Sequence, residues 1–152
     1  MHGVHVGRVR FPPARQKSAI IFDMEEKAFE LLLGGYYSNQ EESQWSVFRI
    51  LDIDNNGIHY TPYNDKFSSL PTEKQVLELK PWILHIPQEI GMLNNLKDLT
   101  LITVKPLSDQ DLEGYAQYLE GATGMNPEEI KSYLTQIKTH SQNKTSVRVA
   151  FN

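Results

Sequence analysis

Apolar and polar positions alternate most cleanly over Trp45–Ile53. Trp45, Val47, Leu51 and Ile53 fall on one face of an extended chain, and Phe48 and Ile50 on the other. Apolar side chains on both faces predict a central strand or one wall of a small barrel. Asp54-Asn55-Asn56-Gly57 follows, and Asn-Gly supplies the positive φ values of a tight hairpin turn. Ile58–Tyr63 then reads as the partner strand, with Pro62 near its end. This 45–63 hairpin is the centre of the predicted fold.

Before it, Ala28–Tyr37 is apolar around Gly34-Gly35. That pattern suits a short helix ending at the glycines or a strand bulged there, and Tyr36-Tyr37 favour a strand from about Phe29. The polar Ser38–Ser43 reads as a loop. After the hairpin, Thr72 and Gln75 stand at capping-box spacing, with Val76 and Leu79 facing inward and Pro81 ending the helix. Trp82–Ile86 predicts a strand, Pro87–Leu96 a loop or short helix, and Leu99–Val104 another strand. Ser108 with Asp111 opens a helix carrying Leu112, Tyr115 and Leu119, stopped by Gly121. Asn126-Pro127-Glu128-Glu129 is a strong helix start, leading into the stripe Ile130, Tyr133, Leu134 and Ile137. Val147, Val149 and Phe151 alternate as a last strand. Strands come first and helices last, without a βαβ rhythm. The expected class is α+β: a small antiparallel sheet or partly open barrel, packed by two C-terminal helices.

Composition narrows the chemistry. With 152 residues, 39% hydrophobic and 22% charged, the chain has the balance of one folded domain. Absence of cysteine excludes disulfides, thiolate metal sites and a Cys nucleophile. No apolar run reaches membrane-spanning length, so the reading is a cytoplasmic protein without a membrane role.

Charge divides the chain. Residues 1–23 carry Arg8, Arg10, Arg15 and Lys17 against Asp23, while residues 24–152 hold 11 basic and 18 acidic side chains, a balance of −7. An acidic body repels phosphate backbones and argues against nucleic acid, and it favours a basic protein partner. The basic arm 1–23 has no apolar core for a secretory signal, and Pro12-Pro13 breaks a transit helix. Val9-Arg10-Phe11 is encodable as GTT-CGA-TTC, the T-arm sequence of tRNA genes. On that reading Met24 is the natural start and the arm is disordered or not native. A chance tripeptide or a real basic tail are the alternatives. The working division is therefore an arm at 1–23 and one α+β domain at 24–152.

Few motifs point to catalysis. Asp52–Gly57 opens like a calcium loop, but the twelfth position is Tyr63 where a bidentate Glu is needed, and the flanks are strand-like. Ile86–Leu101 matches one leucine-rich repeat, but a single copy cannot bury its own face. His2 and His5 form HxxH within the arm, and His59 and His85 each follow an isoleucine in strand-like runs. If their strands paired, His59 and His85 would share a face with carboxylates, yet no spacing requires this. The common nucleophile, zinc and phosphate-loop motifs are absent, so no catalytic residue, metal site or cofactor is expected.

Aromatic residues concentrate around the predicted sheet, and Tyr and Trp are favoured interface anchors. Trp45–Pro71 and Pro106–Leu119 together resemble small uncharacterised bacterial proteins of the immunity-protein type. The residues that carry the resemblance are Val47, Ile50, Leu51, Ile53, Asp54, Gly57–Tyr60, Tyr63–Phe67 and Leu112–Tyr115. It implies a small α+β binder encoded beside a toxin that it neutralises, and it carries no catalytic residue across. The expected function is a non-enzymatic protein-binding domain that caps a basic toxin, with Trp45, His59, Tyr60 and Tyr63 as the contact face. The alternative is a small enzymatic or ligand-binding domain with a pocket between sheet and helices. Homo-oligomerisation stays open.

Overall fold

Thirteen short segments of regular backbone build two antiparallel sheets, three α-helices and a 3₁₀ turn in the computed structural model, which describes residues 4–10, 20–22 and 27–151. His2, Phe11-Pro12-Pro13 and Met24 lie outside the described residues. The strands are β1 (Val4–Arg10), β2 (Ile20–Phe22), β3 (Lys27–Leu32), β4 (Gly35–Glu41), β5 (Gln44–Asp54), β6 (Gly57–Pro62), β7 (Ile86–Gln88), β8 (Lys97–Val104) and β9 (Thr145–Phe151). The helices are α1 (Glu73–Leu77), α2 (Glu113–Thr123) and α3 (Pro127–Gln142), with the 3₁₀ turn at Ile90–Asn95.

One sheet has the order β7-β6-β5-β4-β8, and the other β1-β9-β3-β2. All pairings are antiparallel, and neither sheet closes, so the architecture is an open α+β fold rather than a barrel. The 45–63 hairpin stands at the centre of the five-stranded sheet, as the sequence predicts. Val4–Arg10, within the basic arm, runs alongside β9. The main core joins both sheets to the helices through Phe29, Val149, Ile50, Ile58, Leu112 and Ile137. Tyr36, Val47, Tyr63 and Val76 form a second, smaller core beneath α1. No helix among the described residues is long and apolar enough to cross a membrane.

The helix ends follow the sequence signals. Thr72 and Gln75 make a reciprocal capping box at α1, and Asn126 and Glu129 make another at α3. Gly121 lies inside α2, and the stop is Gly124, which takes the left-handed conformation at φ 71°.

Several strands differ from expectation for identifiable reasons. Gly34-Gly35 does not bulge one strand. It separates β3 from β4, sending them to different sheets through a turn at Leu33-Gly34. Ser38–Glu41, expected as a loop, continues β4, because Ser38 Oγ donates to the Ser46 carbonyl and so is satisfied inside the sheet. The hairpin turn does not use positive φ at Asn56 or Gly57. Instead Asp54 Oδ1 accepts from the N–H groups of Asn56 (2.8 Å) and Gly57 (3.0 Å). Trp82–Leu84 is not strand. Pairing on β6 starts at Ile86, and Thr61 Oγ1 donates to the Leu84 carbonyl at 2.7 Å beside it. Ile86–Leu101 spans β7, the 3₁₀ turn and most of β8, whose strands sit at opposite edges of one sheet rather than in a repeat.

Gly34 is the tightest point of the fold. Its φ is +83°, its N–H donates to Ile50 O at 2.7 Å, and a Cβ there would sit 2.4 Å from Lys105 O. Gly34→Ala is expected to destabilise the fold by about 2–4 kcal/mol, combining left-handed strain with a backbone clash. Urea unfolding checks this, and an unchanged midpoint would refute it.

Candidate functional site

A β-bulge decides which side chains meet between sheet and helices. Arg49 pairs with Thr61 and Ile50 with Tyr60, but past the bulge Asp52 pairs with His59. Directly opposed residues share a face, so the extra residue at Leu51 turns Asp52 to the side that carries Arg49, Thr61 and His59. Without it Asp52 would join Ile50 on the apolar face. The result is a row of buried polar groups beneath α2, with Arg49 3% exposed, Asp52 0% and His59 4%.

At one end of the row the two sequence-predicted histidines do meet, because β6 and β7 are neighbours. His59 Nδ1 and His85 Nε2 are 2.9 Å apart, and His59 Nε2 lies 3.5 Å from Asp54 Oδ2. The carboxylate orients the His59 Nε2–H, which places Nδ1 to accept from His85 Nε2–H. Tyr115 and Tyr118 of α2 pack against both imidazoles at centroid distances of 4.5–5.4 Å. Gly114 permits this approach: a Cβ there would meet Leu84 Cβ at 2.7 Å. The Tyr115 hydroxyl donates to Asp52 Oδ2 at 2.9 Å, and the Tyr133 hydroxyl of α3 donates to the same oxygen. Burial and the Asp52 charge push both phenols far up, so they stay neutral donors.

Burial, reinforced by the His59 charge, lowers His85 to about 4. Burial pushes the Asp54 carboxyl upward, but hydrogen bonds from His59 and the Asn56 and Gly57 amides outweigh it and hold Asp54 below its ordinary value. The pair thus runs as carboxylate–imidazole–imidazole, an arrangement able to pass a proton. Its inner member, His59, is enclosed, and the hydroxyl of Tyr115 packed against it is committed to Asp52. Among the described residues no three His, Asp or Glu side chains are placed to hold a metal ion.

At the other end Arg49 forms a clamp. Its Nε donates to Gly34 O (3.2 Å), its Nη2 to Lys105 O (2.7 Å) and Pro106 O (3.4 Å), and its Nη1 lies 3.1 Å from Asp111 Oδ2. The Tyr36 ring covers the guanidinium at 4.8 Å. Burial raises Asp111, but the Ser108 N–H and the Arg49 charge prevail and keep it ionised below its ordinary range. Beside the clamp opens a cleft of about 250 Å³, walled by Leu77, Pro81 and Leu84 on its outer side.

The four residues expected as a contact face are dispersed. His59 and Tyr63 (7% exposed) point inward, Tyr63 stacking on Tyr36 at 6.0 Å. Tyr60 occupies the opposite face, edge-on to Phe48, with its hydroxyl donating to Gln88 at 2.6 Å. Trp45 is half-buried at the start of β5, bridged through its backbone to Phe67. The alternation that makes the hairpin legible also buries its inward aromatics. Among the described residues the exposed large apolar side chains are instead Leu70, Leu77, Trp82 (62% exposed) and Leu84. Arg49 and Asp52 were visible as charges inside the apolar run Val47–Ile53, a signal that composition alone conceals. No family model, curated protein or solved structure matches the chain.

The histidine pair sets an acid limit. As pH falls from 6.5 toward 4, the unfolded chain takes up a proton at His85 that the folded chain refuses, so stability drops across that window. Asp54 adds a further loss as pH falls below 3.8, where the unfolded carboxyl is protonated first. His85→Gln is expected to flatten the slope between pH 6.5 and 4, read from urea midpoints at each pH. An identical slope in the variant would show that His85 is not its source.

Proposed function

We propose that this chain is a non-enzymatic protein-binding domain, an immunity-type inhibitor that docks a basic protein partner at the ledge formed by Leu77, Trp82 and Leu84. The observation that carries this reading is Trp82, left 62% exposed in a stretch of chain that also exposes Leu77 and Leu84. An indole in water forgoes the burial that stabilises a large apolar side chain by about 1.5–3 kcal/mol. Tryptophan is also among the residue types most enriched at interface anchors. The acidic balance of residues 24–152 supports a basic partner through long-range steering, while the contact at Leu77, Trp82 and Leu84 is itself apolar.

The alternative, an enzyme working through His59 and His85, has less in its favour. His59 is enclosed by β7 and α2, and the nearby tyrosine hydroxyls already serve Asp52.

The test is capture from the native host with wild-type protein, Trp82→Ala and the off-ledge control Tyr60→Phe, followed by titration with the purified partner. Trp82→Ala should weaken binding by at least about thirtyfold, corresponding to about 2 kcal/mol at an anchor residue. Tyr60→Phe should bind as wild type, and the association rate should fall with added salt. A partner whose affinity ignores Trp82→Ala would overturn the ledge, and a salt-independent association rate would overturn the charge argument.

A further inference from the structure

We propose that the cleft beside Arg49 is a binding site for a small apolar carboxylate. The carboxylate lies against Arg49, Lys80 and Lys105, and the hydrocarbon lies against Leu77, Leu79 and Leu84. This site stands whether or not a protein docks at Trp82, although Leu77 and Leu84 border both.

Size comes first. At about 250 Å³ the cleft is smaller than the roughly 300–1,000 Å³ of drug-sized sites, so it takes a small molecule or a single side chain. Sign comes second. Three cations, Arg49, Lys80 and Lys105, line the cleft against one anion, Asp111, in a chain whose net charge is −4. The local field therefore opposes that of the whole molecule and favours an anion.

Hydrogen-bond accounting comes third. A guanidinium has five N–H donors and cannot lose its proton. Arg49 places one on Gly34 O, two on the carbonyls of Lys105 and Pro106, and one on Asp111. Among the described residues the second Nη1 proton has no acceptor, although Arg49 is 3% exposed and lines the cleft. A buried donor without a partner is unfavourable, and an entering carboxylate oxygen would satisfy it. Tyr63, on the same wall, is held neutral because burial and Tyr36 raise it, so it adds no opposing charge.

The leucines decide the class of anion. Leu77 and Leu84 are exposed at the mouth and Leu79 is half-buried. A bare phosphate would leave that wall in water, whereas a carboxylate on a short hydrocarbon covers it.

The experiment is an NMR titration of the full chain, following the Gly34 and Lys105 amides and Arg49 Nε. The probes are phenylacetate, its neutral isostere phenylacetamide, inorganic phosphate, and N-acetylphenylalanine as a mimic of a chain terminus. Phenylacetate should shift these signals, with phenylacetamide and phosphate at least about tenfold weaker. The double variant Lys80→Ala/Lys105→Ala, which removes only exposed amines, should weaken phenylacetate by at least about tenfold while leaving the urea midpoint unchanged. Tighter binding of phenylacetate supports the site with a free acid as its ligand, and tighter binding of N-acetylphenylalanine supports it with a chain terminus. Equal binding of the acid and its amide, an unchanged affinity in the lysine variant, or no shift at Gly34 and Lys105 would overturn the proposal.

Discussion

A guanidinium charge in the middle strand of the five-stranded sheet is the constraint on which the remaining structure depends. Burying an unpaired charge costs several kcal/mol, so Arg49 must find partners on every side. It finds them on three separate segments: the Gly34 turn between the sheets, the Lys105-Pro106 exit from β8, and Asp111 ahead of α2. Each segment also sends a leucine into the core beside its polar tie, namely Leu33, Leu107 and Leu112. With these leucines, Arg49 fixes where the sheets join and where α2 begins. Gly34 answers the same constraint, since its carbonyl accepts from both Arg49 Nε and the Lys105 N–H and leaves no space for a Cβ.

The bulge at Leu51 extends this polar row. It brings Asp52 beneath α2 and α3, where two tyrosine hydroxyls tie both helices to β5. The helices are thus placed by directional bonds as well as by the apolar stripes of their inner faces. Such networks specify orientation when fully satisfied and cost stability when broken. Beyond the reach of α2, the same face runs out under α1 and the segment after it. There the cover is incomplete, leaving the Arg49 cleft open and Leu77 and Leu84 exposed. The functional reading and the fold thus have one origin: a sheet face too polar to be sealed by apolar packing throughout.

Local chemistry made much of the fold legible in the sequence. Asp54–Gly57 specifies a turn through its own side chain and backbone, and Thr72 with Gln75 and Asn126 with Glu129 specify helix starts across three residues. Signals of that range need no tertiary partner. The bulge is different, because its extra residue exists only relative to β6. Ser38–Glu41 likewise reads as loop until Ser46 stands opposite to accept its hydrogen bond. The second sheet is harder still, since β9 joins β1 and β3 across more than a hundred residues of chain, and apolar runs at either end do not announce each other. At the site, hairpin aromatics suggested a surface because Tyr and Trp are common anchors, but alternation places His59 and Tyr63 inward. Trp82 follows Pro81 in a segment that looks like strand and pairs with nothing until Ile86.

Amide hydrogen exchange on the wild type and Arg49→Met tests the central role of the buried guanidinium most directly. If Arg49 is the common tether, the amides of Gly34, Lys105 and Leu112 lose protection together in the variant, while those of α3 and β9 keep theirs. Uniform loss across the chain, or unchanged protection at Gly34 and Lys105, would contradict that role.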